Sequence, residues 1–429
     1  MKKKLSYIFL AFSSLLIMAS GVSYLSGNKD MSAPLLITGF IILATSVRGF
    51  QKFKGFSYTL WIFTAVIVSI VYPQYFISVG DFQLKKLIVP LLQIIMFGMG
   101  SQMSFRDFAG VVKMPKGVLV GVVSHYMIMP LIGFTIAGIF NFPPEISAGI
   151  ILIGCVPSGL ASNVMSFLAK ANLALAVTIG AISTLLSPFL TPLLMKILGG
   201  QYIEVSFWSM MLDILNMIIL PIVAGFIFNL FSKGRESYKS TLIQLSSYLL
   251  IILLTTLVYA KLKNAGMSAF LIQFLKSMGW FFFLPMIVAA LLSNLLKGKN
   301  GYMEKTLSLI SMVGIAVIVT IITASGRDSL IKVGALLLVT SLLHNMAGYT
   351  LGYWLSWLVG MPEKDRRTIA FEVGMQNGGL ASGLALQMGK VATVGLAPAI
   401  FGPLMNVTGS VLANYWRGKP VAEDVQTSD

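Results

Sequence analysis

The sequence predicts an all-α polytopic membrane protein with about fourteen transmembrane helices, and three observations carry that prediction. Of its 429 residues, 56% are hydrophobic and 11% charged, with a mean hydropathy of +0.86. A soluble globular domain carries about 25% charged residues, so this apolar excess has to be buried in lipid. The charges fall in short clusters between uncharged runs, many of them long enough for the roughly 20-residue helix that crosses a bilayer. Two of those runs also resemble each other at an offset of 220 residues.

Taken in order, the uncharged windows are 5–28, 31–47, 55–80, 87–105, 117–144, 146–169, 171–195, 214–232, 240–260, 277–296, 306–326, 333–362, 368–389 (interrupted only by Glu372) and 391–416. The second is the shortest. The eighth extends back to about Phe207, which puts Asp213 inside it, near a helix start where the dipole favours an acid. The first follows Lys2, Lys3 and Lys4 and contains Ala19-Ser20-Gly21. It therefore also has the form of a cleaved signal peptide, a removal that leaves the parity of the later spans unchanged. The runs Lys113 to Lys116 and Glu363 to Arg367 read as solvated loop charge, and the polar tail after Val421 as disordered.

Orientation follows from the basic residues. With the N-terminus in the cytoplasm and all fourteen windows crossing, 21 Lys and Arg fall inside and 9 outside. That is the bias of cytoplasmic loops, and it predicts both termini in the cytoplasm and a bacterial inner (plasma) membrane location. The net charge of +16 is thereby explained without nucleic acid, since no basic face forms on a soluble domain. One cysteine, Cys155, and two histidines exclude a disulfide scaffold and a thiolate- or histidine-rich metal site.

The internal similarity lies in windows six and thirteen. Gly154, Gly159, Leu160, Ala161, Ser162 and Lys170 match Gly374, Gly379, Leu380, Ala381, Ser382 and Lys390. The two windows cross in opposite directions, as an inverted repeat requires. Each is interrupted in the middle, by Pro157-Ser158-Gly159 in one and by Gly374 to Gly379 in the other. Pro removes a donor and obstructs the preceding turn, and Gly tolerates non-helical dihedrals. A helix broken at mid-membrane depth frees backbone groups that only protein or a wet cavity can satisfy. Paired breaks in inverted repeats point to the binding site of a secondary transporter.

Few polar residues sit at that depth. Glu372 is the clearest ionisable one, with no Lys or Arg beside it in sequence, so its natural partner is a bound cation; a protonated, hydrogen-bonded Glu is the structural alternative. A hard cation such as sodium takes oxygen ligands, which Glu372, Gln376, Ser162, Asn163 and the freed carbonyls offer. His344, Asn345 and Asn406 read as helix–helix hydrogen-bonding residues or as ligands, and Gly98 and Gly100 as close-packing positions. An intramembrane enzyme is not indicated: His125 and His344 lie on different helices, and no His-Glu-x-x-His pair is present. A membrane sensor would carry an attached signalling domain.

The chain resembles the bile acid:sodium symporter family. The resemblance rests on Ile95 to Gly100 (IMFGMG), Pro157 to Met165 (PSGLASNVM), Ser183 to Pro192 (STLLSPFLTP), Leu343 to Gly348 (LHNMAG), Glu372 to Leu380 (EVGMQNGGL) and Asn406 to Trp416 (NVTGSVLANYW). It implies two inverted five-helix repeats, divided between a core domain with the crossed broken helices and a panel domain. The repeats fall at 57–200 and at 205–236 with 300–416. The surplus is an N-terminal hairpin (1–50), a hairpin inserted at 238–298 and a cytoplasmic tail (417–429).

The same resemblance implies two sodium sites and a substrate site. One ion site is similar to Ser162, Asn163 and Glu372, with hydroxyls on the following helix at positions that are Ala176 and Gly180 here. The other is similar to Glu372, Gln376 and the carbonyls of Val373 and Met375, with a family Gln replaced by His125. Nitrogen is the poorer sodium ligand, and histidine titrates near neutrality. His125 either holds a proton or only hydrogen-bonds Glu372 beside one sodium. Around the substrate, Asn377 and Asn406 match, a family Thr is Leu160 and a family His is Met405; Pro157 and Ser158 complete the set. The expected activity is sodium-coupled symport of an organic anion, steroid-like or a small carboxylate, with proton coupling or uncoupled carriage as the alternatives. No cofactor other than the coupling ion and no nucleic acid partner is expected, and no oligomeric state is indicated.

Overall fold

A computed structural model describes residues 3–50, 56–104, 110–232 and 302–419, with the isolated positions 279, 287 and 421. Every window within those stretches contains helix. The hairpin expected at 238–298 and the tail from 422 lie outside the described residues. Among the described residues seven helices are long and apolar enough to cross a membrane, and three shorter apolar helices accompany them.

Helices α1 (Lys3–Leu25) and α2 (Lys29–Ser46) form the N-terminal hairpin, turned at Gly27 with φ +83°. Ser6, Ser13 and Ser20 recur every seven residues on the buried face of α1, and the Ser20 hydroxyl donates to Ser32 O at 2.7 Å. Small polar residues hold membrane helices together in this way. Next come α3 (Phe56–Val71), a two-stranded ribbon at 78–83 and α4 (Ile88–Gly100). Then follow α5 (Pro115–Ile139), α6 (Pro144–Cys155), α7 (Ala161–Leu168) and α8 (Leu173–Leu194). A span from Ser206, whose hydroxyl caps it, contains α9 (Phe207–Ile214), a π-helical turn and α10 (Leu220–Ser232). The chain continues with α11 (Tyr302–Ser325), α12 (Arg327–Leu358), α13 (Glu363–Gly374), α14 (Gly378–Gln387) and α15 (Leu396–Arg417).

Two groups of helices pack side by side. The first consists of α3, α4, α10 and α11, and the second of α5 to α8 with α12 to α15. In the first, a Cβ on Gly100 would lie 2.0 Å from Ile222 O, and one on Gly225 would lie 2.1 Å from Phe97 O, so α4 and α10 touch backbone to backbone. In the second, the broken pair α6–α7 crosses the broken pair α13–α14. The tips of the cross are tied: Lys390 and Thr393 bind Glu145 at one end, and Asn172 Nδ2 donates to Asp365 Oδ1 at 2.8 Å at the other.

Two expectations are corrected. Glu363 to Arg367 is not loop charge but the first turns of α13. Arg366 and Arg367 pair with Glu363 at 2.8 and 2.7 Å, and Arg367 is buried over the Trp416 ring. Pro362 precedes the helix and lets it start immediately. Asp213 is not at a helix start, because α9 begins at Phe207 and has no acid in its first turn. It lines a small polar cavity with Gln387 and Lys390.

Candidate functional site

Where the two broken helices cross, the chain is extended on both strands. Val156 (φ −80°, ψ 158°) follows α6 because Pro157 cannot continue it, and Met375 (φ −108°, ψ 110°) follows α13. Ser158 and Gln376 form an antiparallel bridge: Gly159 N donates to Met375 O at 3.0 Å and Asn377 N to Pro157 O at 2.9 Å. A Cβ on Gly159 would lie 2.7 Å from Gln376 O, so the contact requires glycine. Gly159→Ala should therefore separate the strands at a cost of about 1–3 kcal/mol, read as a lower melting temperature together with lost uptake. Native stability in this variant would show that the breaks do not need to touch.

A break inside a protein must place its freed carbonyls, and here several find side-chain partners. Cys155 O accepts from Thr191 Oγ1 at 2.8 Å, Gly374 O from Asn345 Nδ2 at 2.8 Å and Val373 O from Gln376 Nε2 at 2.8 Å. His125 stands between the strands, with Nδ1 2.8 Å from Glu372 O and Nε2 2.9 Å from Val156 O; a neutral ring donates to one of these carbonyls and only an imidazolium to both. Asn377 Oδ1 caps α14 by accepting from Leu380 N at 3.0 Å.

What stays unmatched at the break itself is one kind of atom, while the Ser166 hydroxyl farther along α7 is also unpartnered. Glu372 is fully buried; its Oε2 accepts from Ser158 Oγ at 2.6 Å, and its Oε1 has no partner. Gln376 Oε1 and Asn163 Oδ1 are likewise buried and unpartnered. All three are acceptors, on residues of the crossed segments, and no Lys or Arg lines either adjoining cavity. A buried carboxylate without a counter-charge costs several kcal/mol. A hard cation, which takes oxygen ligands, fits this donor set.

Two cavities adjoin the crossing and share Gly159 and Leu160. One, of about 120 Å³, lies between the two helix groups. It gathers Leu160, Asn377, Met405 and Asn406 against apolar walls such as Ile62, Ile95 and Ile318. Asn377 keeps its amide NH2 for a ligand, whereas Asn406 gives one N–H to Gly402 O at 3.0 Å. The other, of about 370 Å³, is bounded by Gln102 and Met103 and reaches Ser158, Asn163 and Gly180. Beside Gly180 the nearest atom to an added Cβ is Glu372 Oε2, at 3.6 Å.

Most sequence-expected residues meet here, with shifts of duty. Ser158 binds Glu372 and so belongs with the ion-facing oxygens, as does Ser162, 3.1 Å from it. Pro157 lines neither cavity and contributes its carbonyl to the strand contact. Ala176 is buried on α8 and brings no polar side-chain atom. The Val373 and Met375 carbonyls each already accept one hydrogen bond. His344 bonds Met129 O at 2.9 Å, a helix–helix contact. Sequence reasoning gave no role to Thr191 and did not foresee that Asn345 holds a break. The only signal was that both fall inside stretches shared with the family.

A family model described as Sodium Bile acid symporter family matches residues 89–269. A protein of Bacillus subtilis named as an uncharacterized sodium-dependent transporter, YocS, is 32% identical over 87% of this chain and 94% of its own length. The probable sodium/metabolite cotransporter BASS1, chloroplastic, of Arabidopsis thaliana is 29% identical over 76% of this chain and 65% of its own. These relatives are named as transporters or cotransporters, not as enzymes. In fold alone, the chain is similar to the sodium proton antiporter MjNhaP1 of Methanocaldococcus jannaschii, with a TM-score of 0.50 and 13% identity over 91% of this chain and 98% of that one. With a relative above 30% identity matched over nearly its whole length, and with the crossed breaks in place, this chain belongs to the sodium bile acid symporter family.

Proposed function

We propose that the protein is a secondary active transporter that moves an organic anion with sodium by alternating access between the two helix groups. The observation that carries this reading is the set of buried acceptors without partners, Glu372 Oε1, Gln376 Oε1 and Asn163 Oδ1, at a crossing where the carbonyls of Pro157, Val373, Gly374 and Met375 are matched. Sodium there neutralises Glu372 and adds positive charge beside the cavity holding Asn377 and Asn406. The relatives' names, sodium-dependent transporter and sodium/metabolite cotransporter, agree with that coupling.

The anion's head group meets the amides of Asn377 and Asn406 and the N-terminal end of α14, where the dipole is positive. Its body lies against the apolar walls. The larger cavity runs toward Gln102 and Met103 at the C-terminal end of α4, which the charge-derived topology puts in the cytoplasm. On that reading this conformation faces inward, and the two inverted repeats are 57–200 and 205–236 with 300–416.

The test is uptake of a panel of organic anions into proteoliposomes, with sodium and pH gradients imposed separately. The expected result is accumulation of one anion class driven by sodium alone, with Asn377→Ala raising KM about ten-fold at unchanged sodium dependence. Accumulation driven by the pH gradient alone would replace sodium with a proton in this scheme.

A further inference from the structure

Away from the crossing, α11 has a second apolar face. Ile315, Ile318 and Val319 line the cavity next to the core, while Leu309, Met312, Val313 and Ala316 recur at helical spacing on another side. With Tyr58 and Trp61 of α3 they wall an open groove of about 630 Å³, and Arg48 stands at its mouth. Leu309 and Val313 are 61% and 54% exposed.

The mouth is ordered by short-range bonds. Arg48 Nε donates to Ser57 Oγ at 3.0 Å, and the buried Ser57 hydroxyl donates to Ala44 O at 2.7 Å. Tyr58 OH donates to Met312 O at 3.0 Å and fixes the distance between the walls. The guanidinium's two terminal nitrogens are left over, and among the described residues no carboxylate pairs with Arg48. A planar guanidinium with free N–H groups matches a phosphate.

We propose that this groove binds one anionic phospholipid of the cytoplasmic leaflet. Its phosphate lies on Arg48 and an acyl chain runs along Leu309 and Val313. Charge complementarity selects the occupant. Among the described residues the mouth carries one cation, on the side where 21 of the basic residues fall; that leaflet is negatively charged, and Tyr and Trp favour headgroup level. The walls suit a chain and offer a soluble anion nothing. Because α11 also lines the substrate cavity, the lipid would rest on the back of a helix that faces substrate.

Native mass spectrometry of the full-length protein tests this, with phosphatidylglycerol and phosphatidylcholine of identical chains added at equal concentration. The expected result is a preference of about five-fold for phosphatidylglycerol. It should be kept in Arg48→Lys and reduced to about one in Arg48→Gln and in Val313→Trp, which fills the groove without touching the charge. Absence of a preference in the native protein overturns the proposal, and so does a preference that survives either variant or is abolished by glycerol phosphate at equal concentration. Should Arg48→Gln fail to fold, Val313→Trp decides alone. Transport of the anion is not the readout, so failure here is separate from failure of the transport reading.

Discussion

Replacing Glu372 by alanine is expected to abolish sodium-driven uptake while leaving the protein folded and monodisperse. The carboxylate is fully buried, with one oxygen on Ser158 and the other without a partner. Such a group burdens the empty protein and is relieved when a cation arrives, so its loss removes the ion together with the single hydrogen bond from Ser158. Thermal stability separates the two roles. At ten times its Kd, sodium stabilises the native protein by about 1.4 kcal/mol, seen as a rise in melting temperature with sodium but not with potassium. Glu372→Ala should melt near the sodium-free native value and show no rise. Gln376→Ala and Asn163→Ala should behave alike, since each removes another unpartnered oxygen. Asp213→Asn is the control, on a different cavity, and should transport normally. Full sodium-driven uptake by Glu372→Ala would sink the assignment.

Much of the crossing was legible in the sequence because the residues that break a membrane helix are few. Pro157, Gly159 and the glycines at 374, 378 and 379 announce the breaks, and Glu372 without a neighbouring Lys or Arg raises the expectation of a cation. Of the groups that hold the breaks, only His125 was expected to bond Glu372, and the others were not legible. Thr191 reaches back 36 residues to Cys155, Asn345 reaches 29 to Gly374, and His125 spans 247 to Glu372. None of these leaves a periodic trace, because a single polar side chain on an apolar helix looks the same whether it meets a carbonyl, a ligand or another helix. Arg367 was misread for a related reason. A charge cluster beside Pro362 looks like a solvated loop until Trp416, 49 residues on, is seen to cover it.

Sodium activation of the native protein should follow a Hill coefficient near one, and restoring hydroxyls on α8 should raise it. An added Cβ at Gly180 meets only Glu372 Oε2, at 3.6 Å, so serine fits there without a clash and puts an oxygen beside the carboxylate. Ala176, one turn earlier on the same face, is equally bare. The hydroxyls already on α8 do not substitute for them: the cavity that reaches Ser158 and Asn163 meets α8 at Val177, Gly180 and Ala181, and Thr178, Ser183 and Thr184 do not line it. The second ion position suffers differently. His125 has both ring nitrogens against the carbonyls of Val156 and Glu372, so the ring fastens the two breaks and turns no nitrogen to an ion. In the proposed scheme one ion position therefore remains supplied, around the unpartnered oxygens. Gly180→Ser combined with Ala176→Ser should move the coefficient toward two, or lower half-saturating sodium on the order of ten-fold, the effect of one or two oxygens added around a charged group. A native coefficient near two, unchanged by His125→Gln, would overturn single-ion coupling and mean that backbone carbonyls supply what α8 and His125 do not.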